Sequence, residues 1–397
     1  MRFEGGVVAI KRIGVLTGGG DVPGLNIAIK GIVEAGADRD YEIIGIRRGW
    51  EGLTHVDLEN PQSKARCLMP LNKENTRTID RTGGTILHTS RTNPAQMKMV
   101  PEHLRAADFA KKEPHKGVGY DLTRQVMRNL EDLRIDALIS IGGDDTLGYA
   151  SRLNEQGVRI VAIPKTMDND VRDTEYCIGF STAITRAVDA IQRQRSTVGS
   201  HERIGVFRLF GRDAGYTSLY TAYVTSLRCA IPEFKFDLEK MIDLLLADKS
   251  NNPSNYSLVI LSEGAEWVDY SVREVGEADG FGHRKKANVG EDFAEEIRKR
   301  TQAETVVSDL TYDLRSGEAD FIDKMVAVTF GHMAVDAVEQ NKSGVMTAIQ
   351  NGRYAMVPIP DSKLGPRRID VETMYNTTQY RPLYSNKSGM PVFLNQA

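Results

Sequence analysis

Short apolar runs recur along this chain, and several end abruptly in turns built of glycine and charged residues. Residues 12–17 read as a strand that runs into a Gly18-Gly19-Gly20-Asp21-Val22-Pro23-Gly24 turn. Leu25, Ile29, Ile32 and Val33 then recur at nearly helical spacing. This predicts a helix with Pro23 in its first turn, where a missing amide hydrogen costs nothing. A second strand over 41–46 completes a βαβ opening. Further on, an amphipathic helix at 122–133 leads into a strand at 137–141, and a long helix at 181–198 stops at Gly199. Strands at 203–207 and 258–261, a helix near 219–227 and a final helix at 325–340 follow. The stretch 60–116 is irregular and charged, apart from a glycine turn, strand and arginine at 83–91. Residues 251–255 and 274–286 read as loops. With no repeat and no low-complexity tract, the pattern predicts an α/β protein of two doubly wound, mostly parallel lobes.

Composition narrows this picture only a little. The chain has 397 residues, 41% hydrophobic and 26% charged, more than one core usually fills. A formal net charge of −3 gives no reason to expect nucleic-acid or membrane-surface binding, so any anion site must be built from local basic residues. Cys67, Cys177 and Cys229 are far apart and form no metal or disulfide pattern, which suits a reducing cytoplasm. The apolar run at 7–10 is cut short by Lys11 and Arg12, too short for a signal peptide, and no run approaches a membrane span.

The chemistry gathers at two strand ends. Ile139-Ser140-Ile141 runs into Gly142-Gly143-Asp144-Asp145-Thr146, and Ile163-Pro164 runs into Lys165-Thr166-Met167-Asp168-Asn169-Asp170. Open α/β sheets bind ligands at such ends. Glycines let a phosphate approach the backbone, Asp144 suits Mg²⁺, Asp168 can take a hydroxyl proton, and Lys165 can neutralise charge on a transferring group. Arg91, Arg203, Arg212 and Arg315 lie in or near glycine- or serine-bearing turns and suggest a phosphate clamp. Together these point to metal-assisted phosphoryl transfer. The 18–24 turn also fits a relaxed dinucleotide fingerprint, with Asp40 or Glu42 as ribose partner. Asp21 opposes that reading, because its carboxylate would repel a bare pyrophosphate group in the loop and suits a metal-bound phosphate better.

In this order the motifs resemble the 6-phosphofructokinases over nearly the whole chain. They are IGVLTGGGDVPGLN (13–26), GGTILHTSR (83–91), SIGGDDT (140–146), IPKTMDND (163–170), GFSTA (179–183), SHERIGVFRLFGR (200–212), IPE (231–233) and YDLRSG (312–317). The resemblance implies two Rossmann-like three-layer lobes with a site between them. Residues 1–180 with about 316–365 would hold the phosphoryl donor, and 181–315 with about 366–397 the sugar phosphate. Within the family, Asp145 and Lys165 resemble the pyrophosphate-using members, whereas ATP-using bacterial members carry glycine at the first and usually at the second position. A carboxylate at 145 would repel a nucleotide α-phosphate; like charges ~4 Å apart at an effective dielectric near 20 cost on the order of 4 kcal/mol.

The resemblance also implies roles. Gly19, Gly20 and Gly143 with Arg91, Asp145 and Lys165 would bind pyrophosphate, and Asp144 would engage Mg²⁺. Asp168 would accept the proton of the sugar 1-hydroxyl, supported by Thr166 and Asp170, with Met167 among the substrate-binding residues. Phe210, Gly211, Arg212 and Glu233 would hold the sugar, and Tyr312 and Arg315 its 6-phosphate. Arg203 would reach in from a neighbouring subunit of a homodimer or homotetramer. Val306 stands where many members place a second intersubunit arginine. Losing one charged fork could weaken sugar-phosphate binding by ~1.5–3 kcal/mol and opens the range to sugars such as sedoheptulose 7-phosphate. The rival readings are an ATP-dependent member and a non-catalytic regulatory member.

Overall fold

The computed structural model describes residues 11–105, 109–112, 119–385 and 388. The apolar run at 7–10 and parts of the 366–397 segment lie outside the described residues. Strand β1 (Arg12–Thr17) leads through the glycine turn into helix α1 (Leu25–Ala37) and strand β2 (Glu42–Ile46). Pro23 lies before the helix rather than within its first turn, because Gly24 takes the N-cap with a φ of 108°. Helices α2 (Trp50–His55) and α3 (Pro61–Cys67) lead to β3 (Leu68–Leu71), so the charged 60–116 stretch holds more regular structure than its composition suggests. A small antiparallel pair, β4 (Ala110–Lys112) and β5 (Gly119–Asp121), precedes α4 (Thr123–Asp132). Then come β6 (Ala137–Gly142), α5 (Asp144–Glu155) and β7 (Ile160–Pro164).

The next stretch builds a second sheet. It contains α6 (Phe180–Ser200), β8 (Ile204–Leu209), α7 (Tyr216–Thr225), β9 (Arg228–Ala230), α8 (Leu238–Asn251) and β10 (Ser257–Ser262). A two-residue-armed hairpin, β11 (Glu274–Val275) and β12 (Lys285–Lys286), follows, then α9 (Val289–Thr301) and β13 (Thr305–Asp309). Helix α10 (Phe321–Glu339) returns the chain to the first sheet, where β14 (Val345–Gln350) and β15 (Arg353–Pro358) add an unanticipated hairpin at one edge.

The first sheet has seven strands in the order β15-β14-β7-β6-β1-β2-β3, and only its edge strands β15 and β3 run antiparallel to their neighbours. The second has four parallel strands in the order β13-β8-β10-β9. Strands β6, β7, β8 and β10 are buried at every position, which is why they read as continuous apolar runs rather than alternating ones. The fold is α/β and mostly parallel, as the pattern predicts.

The expected strand within 83–91 does not form. Its backbone is spent on the glycine turn instead: Gly19 donates to the Ser90 carbonyl at 3.0 Å and Arg48 to the Leu87 carbonyl at 2.7 Å. The hydroxyls of Thr17, Thr89 and Ser90 bind the carbonyls of His88, Gly19 and Arg48 at 2.7–2.9 Å. The segment is a strut beneath the turn rather than a ladder member.

Candidate active site

From β1 the chain moves to β2 on one side, and from β6 to β7 and β14 on the other. The crevice at the carboxyl ends of β1 and β6 is therefore a switch point, the usual place for a ligand in such sheets. Thr17 lies opposite Ile141 there, so the Gly18–Gly20 turn and the start of α5 at Gly143 and Asp144 face the same opening. Asp40 and Glu42 sit at the other end of β2, and Glu42 is tied to Arg12 at 2.6 Å. This removes the ribose partner that the dinucleotide reading requires.

Gly19 works differently from the sequence expectation. Its amide hydrogen is given to Ser90, so it does not face a donor. Its φ of 81°, and the 3.3 Å that would separate a Cβ from Lys165 Nζ, explain why glycine stands there. Lys165 is only 4% exposed, and its ammonium donates to the Gly20 carbonyl at 2.6 Å. Burial, with help from the Arg315 and Arg91 charges, lowers its pKa to about 8. The Arg315 guanidinium lies over the Phe210 ring at 4.6 Å and 3.8 Å from the Asp21 carboxylate. Arg315 thus stands at the donor turn, although the resemblance assigned it to the sugar phosphate.

Burial, then neighbouring negative charge, pushes the carboxylates' pKa values upward. Burial, then the charges of Asp170 and Asp145, raise the Asp144 pKa to about 8. Burial, Asp170 and Glu263 push Asp168 well above the ordinary range, and burial raises Asp170 against a hydrogen bond from Thr166. Asn169 adopts φ 54°, and its side chain donates to the Glu175 carbonyl at 2.9 Å while accepting from Cys177 N at 2.8 Å. These bonds hold the Asp-Asn-Asp turn, and Thr166 Oγ1 accepts from Asp168 N at 3.2 Å. Buried acids that Arg172, Arg315 and Arg367 offset only in part suit a group that takes up protons.

The second sheet supplies the other wall. Phe210, Gly211 and Arg212 follow the end of β8, and Met167 is buried with its carbonyl bound by Thr217 of α7 at 2.7 Å. Glu233 accepts from Gly215 N at 3.0 Å and Ile369 N at 2.9 Å, with burial raising its pKa. Two expected residues stand apart. Arg203 precedes β8, at the opposite end from Phe210, and pairs with Glu304 at 2.7 Å. Tyr312 is 74% exposed. Val306 lies in β13 opposite Gly205.

Four residues that the sequence reading passed over also meet here. Glu263 follows β10, adds its charge to the field at Asp168 and lies 3.8 Å from Arg208. Arg367 donates to the Asn169 carbonyl at 2.7 Å and stacks on Tyr216. Asp279 and His283 reach Arg91 and Asp145 from the 274–286 loop. A carboxylate directly after a buried strand was the available signal for Glu263. Nothing local marked the other three.

Comparison with protein families matches residues 12–338 to phosphofructokinase. A pyrophosphate–fructose 6-phosphate 1-phosphotransferase from Dictyoglomus thermophilum is 36% identical over 88% of this chain and 92% of its own length. The enzyme of that name from Thermoproteus tenax is 36% identical over the same shares. An ATP-dependent 6-phosphofructokinase 3 from Streptomyces coelicolor is 32% identical over 88% of this chain and 94% of its own. Among solved structures, a pyrophosphate-dependent phosphofructokinase from Nitrosospira multiformis shares the fold, with a TM-score of 0.74 at 17% identity over 98% of this chain and 93% of that one. With its switch-point crevice, its acid cluster and its buried lysine, the chain belongs to the phosphofructokinase family.

Proposed function

We propose that this chain transfers a phosphoryl group reversibly from pyrophosphate to the 1-hydroxyl of fructose 6-phosphate, giving fructose 1,6-bisphosphate with Mg²⁺. The carrying observation is the placement of Asp145 in the first turn of α5, at a crevice whose other lip, Gly20, holds the buried Lys165. A short anionic donor finds a cation there, and a longer nucleotide meets a carboxylate. The names of the relatives at 36% identity support the same donor.

Asp168 takes the hydroxyl proton, a role that its raised pKa and its place between the two sheets support. Lys165 and Arg315 sit where charge on the transferring group would be stabilised. No cluster of three metal-ligating side chains occurs among the described residues. Asp144, at the start of α5 beside the glycine turn, would hold a hard cation together with substrate oxygens, which is how Mg²⁺ commonly binds. When bound, the ion would neutralise phosphate charge. Arg212 and Glu233 would hold the sugar. Arg203 would complete a neighbouring site in a homodimer or homotetramer, since within one chain it lies roughly 20 Å along β8 from Phe210, while Tyr312 would grip the 6-phosphate. The split of the chain into a donor lobe and a sugar lobe is part of this reading, and the membership of β14 and β15 in the first sheet supports it.

Steady-state turnover of fructose 6-phosphate with Mg²⁺ and either pyrophosphate or ATP tests the proposal. Turnover with pyrophosphate and none with ATP is expected, and the reverse would overturn the donor assignment. Sedoheptulose 7-phosphate as acceptor in the same assay reads the effect of Val306.

A further inference from the structure

The loop between β10 and α9 touches three residues that the sequence placed in the site. Its tip, residues 276–284, is folded on Asp279, whose Oδ1 accepts from the amides of Phe281 and His283, each at 3.0 Å. The other oxygen of Asp279 pairs with Arg91 at 3.1 Å. Gly280 lies so close to the Arg91 backbone that a Cβ would stand 2.5 Å from its carbonyl oxygen. The carbonyl of Arg284 accepts from Arg212 Nη2 at 3.0 Å. At the centre of these contacts His283 Nε2 lies 3.1 and 3.3 Å from the two oxygens of Asp145.

On this geometry, and resting on the pyrophosphate reading above, we infer that His283 is a positioning residue for the donor gate. It fixes the Asp145 carboxylate in place and offsets its charge toward an incoming pyrophosphate, while Asp279 and Gly280 hold the tip against Arg91. The Asp145 hydrogen bond raises the His283 pKa above its ordinary value, so the ring carries positive charge more readily than a free imidazole. Without that charge, Asp145 would face the donor uncompensated. The sequence distance of 138 residues between the partners explains why neither motif announces the other. The loop meets Arg91 and Asp145 on the donor side and Arg212 on the sugar side, so one short segment spans both.

The test is donor kinetics of His283→Ala, His283→Gln and Asp145→Asn, with the His283→Ala/Asp145→Asn double variant. Removing a charge-assisted hydrogen bond should raise the pyrophosphate KM about tenfold with kcat changed less than about threefold. Glutamine, which can still donate to the carboxylate, should recover part of the loss. In the Asp145→Asn background the His283→Ala change should add less than about twofold, because its action passes through that carboxylate. Gly280→Ala, which pushes the tip from Arg91, should reproduce the rise in KM at unchanged melting temperature. An unchanged pyrophosphate KM in His283→Ala, or full additivity in the double variant, would overturn the inference alone. Wild-type protein inactive with pyrophosphate would instead overturn the donor reading and this inference with it.

Discussion

The donor crevice and the sugar wall are built to different degrees within one chain. At the crevice, Lys165, Gly20, Asp21 and Arg315 are all in contact or nearly so, and burial followed by the Asp170 charge raises the pKa values of Asp144 and Asp168. At the proposed sugar wall, Arg212 is held by the Arg284 carbonyl and Glu233 by the Gly215 and Ile369 amides, but Arg203 stands at the far end of β8 and Tyr312 projects from the surface. The crevice is formed by the ends of two adjacent strands, whose register the sheet fixes. The wall depends on loops, and in our reading on a second copy of the chain. Where the ligand is small and highly charged, backbone turns and a few buried charges suffice. A larger sugar phosphate calls for long side chains from several directions.

The sharpest way to break this comparison is Asp168→Ala. Loss of the general base should lower kcat by roughly 10²–10⁴-fold with little change in either KM, measured by steady-state kinetics in the forward direction. Near-native turnover would remove Asp168 from that role and leave the acid cluster unexplained. Asp145→Gly combined with Lys165→Gly should cut pyrophosphate kcat/KM by about tenfold, through the lost lysine charge, and admit some ATP, through the lost carboxylate. Continued exclusion of ATP would show that the crevice selects its donor by other means.

Arg203→Ala separates the two regions. It should raise the fructose 6-phosphate KM about tenfold while leaving the pyrophosphate KM within about twofold, as expected for a lost phosphate contact. Equal effects on both substrates would place Arg203 in general stability rather than in a neighbour's sugar site. A smaller effect concerns pH. Lys165, with its pKa lowered to about 8, is charged below that value and neutral above it. The kcat/KM for pyrophosphate should therefore fall as pH rises through about 8, by up to about tenfold per unit. A flat profile to pH 9.5 would mean that the Lys165 charge does not govern pyrophosphate turnover. Phe210→Leu, which removes the ring under Arg315, should cost only about threefold in kcat/KM, in line with a cation–π contact of roughly 0.5–1 kcal/mol.

Much of this site was legible because its residues sit where buried parallel strands end. Such strands are continuous apolar runs, so their ends are visible, and the glycines and carboxylates after them stand out. The helices at 122–133, 181–198 and 325–340 were readable for a similar reason, and α4 and α6 follow those bounds within two residues, while α10 begins four residues earlier. The strand expected at 83–91 and the missed hairpin of β14 and β15 show the limit. Whether a short apolar segment pairs in a ladder or props a turn depends on which backbone partners reach it.

The sequence by itself determined the α/β class, the two strand-end motifs and the family, because local periodicity and turn chemistry record them directly. Only the tertiary structure decided that Gly19's amide is engaged with Ser90, that Arg315 faces the glycine turn over Phe210, and that His283 meets Asp145 across the molecule. Each of these is a contact between side chains or backbone groups distant in sequence. Such contacts are set by strand order and loop docking, which residue spacing does not record.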